Sequence, residues 1–148
     1  MKPDAAAVLA DLALRLATEI APQVQPAYLA GSLALTGAVL GAGAEEFDRA
    51  AARRIEENAA VRALFNQAED LELPGDLAGR LKILASGADT DLRVSTLEAG
   101  NAALRAALIE LHAAVEVSRE PSAAALNMAI WRELAASTER RRLSGANF

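Results

Sequence analysis

Residues 94–115 read VSTLEAGNAALRAALIELHAAV and carry the clearest periodic pattern of the chain. Mostly apolar side chains recur in it at alternating intervals of three and four residues: Val94, Leu97, Asn101, Leu104, Leu108, Leu111 and Val115. That period is typical of an α-helix with one buried stripe, and we predict a helix over residues 91–117. One flank of the stripe is small (Gly100, Ala107, Ala114), which favours a closely packed antiparallel bundle over a parallel coiled coil with charged flanks.

The composition of the whole chain favours helices as well. Its 148 residues include 37 Ala and 22 Leu, the strongest helix formers, and only 3% are aromatic. Sheets favour β-branched and aromatic side chains, which are scarce here. The length is typical of one domain. We therefore predict an all-α, single-domain bundle over residues 1–148, with about six helices at 5–20, 27–40, 44–68, 77–87, 91–117 and 122–141.

Residues 20–44 carry no charged side chain. The predicted helix 27–40 lies within this stretch, is apolar on all sides, and contains Gly37 and Gly41 in a GxxxG spacing. In water such a helix belongs at the centre of a bundle, whereas in a membrane the same spacing would form a dimer face. The apolar run is at the short limit for spanning a bilayer, so we expect a buried central helix rather than a membrane-spanning one. We also expect Gly41-Ala-Gly43 to break or kink the helix.

The net charge and the absence of cysteine exclude several classes of partner and site. The chain has a formal net charge of −5 and no cysteine. An acidic chain is a poor match for nucleic acid, and without cysteine there is no disulfide, thiol nucleophile or thiolate metal site. The only basic run is 140–142, which favours a helix C-terminus, with contact to a peptide or membrane surface as the alternative.

Three acidic residues determine the expected compartment. Asp4, Asp11 and Glu19 interrupt the apolar core that a signal peptide would need at this end of the sequence. We therefore expect a cytoplasmic protein.

The sequence offers few groups that could carry chemistry. His112, the only histidine, precedes Glu116 by four residues and shares its helix face, but no nucleophile stands at a recognisable spacing. We predict a partly exposed pair rather than a catalytic one. Adjacent acids such as Glu45 and Glu46 point about 100° apart on a helix and do not converge on one cation. We accordingly predict no catalytic residue, no metal site and no cofactor, and we do not favour an enzyme.

The favoured function is a non-catalytic interaction protein, as a homodimer or with another helical protein. The candidate interface residues lie on the helix 91–117 and on the glycine ridge of helix 27–40: Val94, Leu97, Asn101, Leu104, Leu108, Leu111, Gly37 and Gly41. Two copies of Asn101 could pair across a dimer and fix its register. Alternatively, Asn101 is hydrogen-bonded within one copy, to a backbone carbonyl or a buried water.

The alternative function is binding of a small apolar molecule, either an acyl chain or an aromatic compound. Small residues on helix 27–40 could leave a cavity beside it. Such a cavity would need a few polar groups to orient its ligand, and the candidates are Tyr28, Asn101 and Trp131.

Overall fold

The computed structural model describes residues 4–144, which form helices and connecting loops without any strand. The α-helices are α1 (Ala5–Arg15), α2 (Ala27–Gln67), α3 (Leu77–Ala85), α4 (Val94–Val117) and α5 (Pro121–Arg141). A π-helical turn at Leu16–Ile20 and a 3-10 turn at Ala21–Gln23 continue α1. The predicted all-α class is confirmed, with five α-helices in place of about six over the described residues.

Contacts divide the described chain into two compact units. The first unit comprises residues 4–50 and 142–144, and the second comprises residues 51–141. The division falls within α2. The single domain expected from the sequence stays a prediction.

The predicted break at Gly41-Ala-Gly43 is wrong, because α2 runs without interruption from Ala27 to Gln67. A helical glycine costs about 1 kcal/mol relative to alanine, but unlike proline it neither clashes with the preceding turn nor removes a hydrogen bond. Neither Gly41 nor Gly43 adopts a positive φ. The predicted helices 27–40 and 44–68 are therefore one helix.

The glycine ridge of α2 packs against α1 within the first unit. A Cβ built on Gly37 would lie 2.8 Å from the carbonyl oxygen of Ala13, and one built on Gly41 would lie 3.7 Å from the Ala13 Cβ. Asp4 fixes the start of α1, since its Oδ1 accepts hydrogen bonds from the amides of Ala6 (3.0 Å) and Ala7 (3.4 Å). The GxxxG spacing thus brings two helices of one copy close together.

The expectation that this part of α2 is a buried central helix is also wrong. The apolar window of α2 has a mean hydropathy of 1.4, yet only 11% of it is buried. By length and composition α2 could cross a membrane, and it is the one described helix of which this is true. Among the described residues of the first unit, the fully buried hydrophobic residues are all alanines (Ala13, Ala21, Ala44 and Ala50), whereas larger side chains such as Leu16, Leu33 and Leu40 are only partly buried.

The second unit contains a core of large side chains. Every member of the α4 stripe from Leu97 to Val115 is buried, whereas Val94 at the start of the helix is exposed. Side chains from α2, α3 and α5 pack around this stripe, including Val61, Phe65, Leu77, Leu81, Leu126 and Ile130. The predicted apolar period of α4 therefore corresponds to the central stripe of the core.

Candidate functional site

Asn101 lies at the centre of a buried network of polar side chains in the second unit. Its Nδ2 donates a hydrogen bond to Asn58 Oδ1 at 2.9 Å, and its Oδ1 accepts one from Arg141 Nη2 at 3.2 Å. Asn101 is only 1% exposed, so both ends of its amide are satisfied within a single copy. These contacts support the intramolecular alternative, although a side chain takes the place of the expected backbone carbonyl or water. A role in pairing two copies stays a prediction.

The network continues from Asn58 to the loop before α4. Asn58 Nδ2 donates to Asp89 Oδ1 at 3.0 Å, and Arg62 donates to both oxygens of Asp89 at 2.9 and 3.0 Å. The hydrogen bond from Arg62 is the main reason why the pKa of Asp89 lies below its ordinary value. This end of the network fixes the loop against α2.

In the other direction the network includes a buried carboxylate. Glu57 of α2, whose side chain is 3% exposed, accepts hydrogen bonds from Arg105 Nη1 at 2.6 Å and from Arg141 Nη2 at 2.7 Å. Burial raises the pKa of Glu57, but the hydrogen bonds from Arg141 and Arg105 outweigh it and the pKa is lowered overall. The ionised Glu57 therefore connects α2, α4 and α5.

This network is suited to structure rather than to catalysis. A general base needs an oxygen that a substrate proton can reach, and both oxygens of Glu57 accept hydrogen bonds from arginine, Oε1 from Arg105 and Oε2 from Arg141. The amides of Asn58 and Asn101 are likewise engaged. The network holds three helices and a loop in register.

His112 is oriented by its neighbours on α4 and α5. Its Nε2 lies 2.9 Å from Asn127 Oδ1 and 3.5 Å from Glu116 Oε1, and Trp131 meets the ring edge-on at 5.0 Å between centroids. The adjacent cavity has a volume of about 70 Å³, which is room for a few water molecules. Within residues 4–144, no three His, Asp or Glu side chains are grouped to hold a metal ion.

The first unit presents an exposed face that we call the apolar face, made of Tyr28, Ser32, Leu35 and Val39 on α2. The exposed fractions of Tyr28, Leu35 and Val39 are 73%, 60% and 64%. Their spacing places them on one side of the helix, opposite Gly37, which packs against α1. No charged residue interrupts this part of the chain. Exposed apolar patches on a protein surface mark sites of interaction.

The candidate interface residues from the sequence have mostly intramolecular contacts. The structure brings Leu97, Asn101, Leu104, Leu108 and Leu111 together in the interior of the second unit and leaves Val94 exposed. Gly37 and Gly41 face α1. A role for these residues between two chains stays a prediction.

The candidate ligand residues have separate surroundings. Tyr28 is exposed on α2, Asn101 is engaged in the buried network, and Trp131 lies against His112 at the protein surface. None of them lines the groove of about 500 Å³ that lies between α2 and α3 in the second unit. A ligand held by these three residues stays a prediction.

Sequence reasoning missed Leu35 and Val39 although it identified the stretch that contains them. The uncharged run and the GxxxG spacing were the available signals. A helix with glycines on one side and larger apolar residues on the other has two distinct faces, and the GxxxG spacing draws attention only to the glycine side.

No protein-family model, curated protein or solved structure matches this chain significantly.

Proposed function

We propose that this chain is a non-catalytic helical protein that acts by self-association through the apolar face of α2. The observation that carries the proposal is the exposure of Leu35 and Val39 on an uncharged helix surface. Removing apolar surface from water is favourable by roughly 25 cal/mol per Å². Among its described hydrophobic residues the first unit fully buries only alanines, so covering this face would bury large side chains that are now exposed.

A second copy of the chain is a suitable occupant of the apolar face. Tyr28, Ser32, Leu35 and Val39 follow intervals of four, three and four residues, by which two helices pack side by side. Under two-fold symmetry the same face is used by both copies. The contact itself brings no like charges together, because residues 20–44 carry no charged side chain.

The charges at the end of α1 and in the following π-helical turn favour a protein partner over a lipid bilayer. Arg15 of α1 and Glu19 of the turn form an exposed pair at 3.5 Å, and α1 packs directly on α2 at Gly37. Taking α2 into the hydrocarbon would bring these charges with it, at considerable cost. This cost supports a protein partner at the apolar face.

Sedimentation velocity over a range of protein concentrations tests the proposal. We expect a dimer for the wild type and a monomer for Leu35→Glu, since the substitution brings two like charges together at the centre of the contact. Ile109→Glu on α4 is the matched control, because Ile109 is 70% exposed in the middle of a helix of the second unit. We expect this control to remain a dimer.

Three results would overturn the proposal. One is a wild-type protein that sediments as a monomer at every concentration. Another is a dimer that persists in both Leu35→Glu and Val39→Glu, because the contact would then lie elsewhere. Flotation of the wild type with phosphatidylcholine vesicles would likewise assign the apolar face to a membrane and overturn self-association.

A further inference from the structure

The groove between the C-terminal part of α2 and α3 has the properties of a small-molecule site. Its volume of about 500 Å³ lies in the range of roughly 300–1,000 Å³ that is usual for such sites. Phe65 and Leu81, which are 3% and 2% exposed, contribute to its lining and belong to the core of the second unit. The floor of the groove is therefore part of the packed core of the second unit.

Gly79 of α3 provides an independent observation. It lies within a helix of nine residues, its φ is not positive, and a Cβ built on it would meet nothing within 4 Å. Neither backbone conformation nor close packing requires glycine here, although it costs about 1 kcal/mol relative to alanine. Gly79 lines the groove, and the absence of a side chain at this position leaves the groove open.

The length of α3 and the charges beside the groove define the class of occupant. A helix of nine residues is about 14 Å long, which suits a small molecule better than a partner helix. Lys82 and Glu69 both line the groove, with Lys82 Nζ 3.9 Å from Glu69 Oε1 and both side chains largely exposed. An exposed pair of this kind is weak, so an incoming carboxylate can compete with Glu69 for the ammonium group.

We propose that this groove binds a small amphiphilic carboxylate, with its apolar part against Phe65 and Leu81 and its carboxylate at Lys82. Phe65 and Leu81 offer apolar contacts and Lys82 offers a positive charge, which complement the two parts of such a ligand. This site is independent of self-association through the apolar face, because it uses residues of α3 and of the other end of α2.

Isothermal titration calorimetry of the full chain with decanoate tests the proposal, with decanol as the uncharged comparison. We expect decanoate to bind the wild type saturably and more tightly than decanol. Gly79→Leu fills the groove and should weaken decanoate binding about tenfold or more. Ala102→Leu is the matched control, since Ala102 is exposed on α4 and does not line the groove, and its binding should equal that of the wild type. Lys82→Gln should weaken decanoate binding about fivefold and leave decanol binding unchanged.

A second variant guards against misfolding of Gly79→Leu. Ala78→Leu lies next to it on α3 and also lines the groove, so it should weaken decanoate binding in the same direction. The proposal is overturned if decanoate binds the wild type more weakly than about 1 mM. It is also overturned if folded Gly79→Leu and Ala78→Leu bind as the wild type does. Equal binding of decanol and decanoate would overturn the assignment of the carboxylate to Lys82.

Discussion

At the scale of single residues, Asn101 shows how one amide can fix the positions of three helices. It lies on α4, and its hydrogen-bond partners Asn58 and Arg141 belong to α2 and α5. A buried polar group that loses its partner retains the cost of leaving water. Each member of the network therefore stabilises the fold only while the others are present.

We expect Asn101→Leu to lower the free energy of unfolding by about 1–3 kcal/mol, because it leaves the side-chain oxygen Oδ1 of Asn58 without its hydrogen-bond donor. Urea denaturation of the variant and the wild type measures the difference. In a double-mutant cycle with Asn58→Leu, the two effects should fall short of additivity by about 0.5–3 kcal/mol. A variant that is more stable than the wild type would contradict a stabilising role for the pair.

The free energy of unfolding should depend on pH through Glu57. The pKa of Glu57 is lowered below its ordinary value of 4.5 in the folded state. The stabilisation by ionised Glu57 is therefore fully present above pH 4.5, and it is lost as the pH falls through the folded-state pKa. We expect Glu57→Gln to lower the free energy of unfolding by about 1–3 kcal/mol at neutral pH, and the difference from the wild type to shrink as the pH falls below 4.5.

Urea denaturation at several pH values measures this effect of Glu57. Glu56→Gln is the control, since Glu56 is the adjacent residue of α2 and is exposed. Its difference from the wild type should stay small across the same pH range. A Glu57→Gln variant with the pH dependence of the wild type would show that Glu57 is not the group responsible.

The sequence predicted the position of Asn101 in a helical stripe, but it left the partner open. Asn58 and Arg141 are 43 and 40 residues away along the chain, and no local spacing relates them to Asn101. Arg141 was assigned to a helix C-terminus, which is correct for its position in α5 but does not reveal its ion pair with Glu57. Periodicity reports which side of a helix is buried, and the pairing of buried polar groups depends on the tertiary fold.

At the scale of whole elements, α2 shows the difference between a weak helix former and a helix breaker. The sequence predicted helix on both sides of Gly41-Ala-Gly43 and placed a break between them. The two glycines are a modest cost that 41 residues of continuous hydrogen bonding outweigh. The apolar period of α4 predicts its buried side, because apolar and polar residues are separated along that helix. Residues 27–44 are apolar on all sides, so their pattern does not indicate which side is buried.

Two glycines of α2 should respond in opposite ways to the same substitution. Gly37→Ala places a methyl group 2.8 Å from the Ala13 carbonyl oxygen, and we expect it to destabilise the packing of α1 on α2 by about 1–3 kcal/mol. Gly43→Ala meets nothing within 4 Å and should stabilise the helix by about 0.5–1 kcal/mol. Thermal unfolding followed by circular dichroism compares the two. Equal effects would contradict a close approach at Gly37.

At the scale of the whole molecule, large buried side chains are unevenly distributed along the chain. The described core cluster runs from Val61 to Ile130 and lies entirely in the second unit. In the first unit the buried hydrophobic residues are alanines, and each alanine removes little apolar area from water. The first unit should therefore open more readily than the second.

Hydrogen exchange measured by mass spectrometry tests this difference. We expect amides in residues 104–111 of α4 to exchange slowest, and those of α1 to exchange much faster, because protection follows buried contacts. If self-association covers the apolar face, protection of residues 28–39 should rise with protein concentration. Uniform protection of both units would instead indicate that the chain unfolds as the single domain expected from the sequence.

The buried network also constrains how this chain can evolve. Asp89, Asn58, Asn101, Arg141 and Glu57 form a continuous series in which each side chain satisfies its neighbour. A mutation at one of these positions leaves a buried polar group at the neighbouring position without its hydrogen-bond partner. Selection should then favour a second mutation at that neighbouring position. In homologous proteins, positions 58 and 101 should accordingly vary together, while exposed positions of the same helices drift independently.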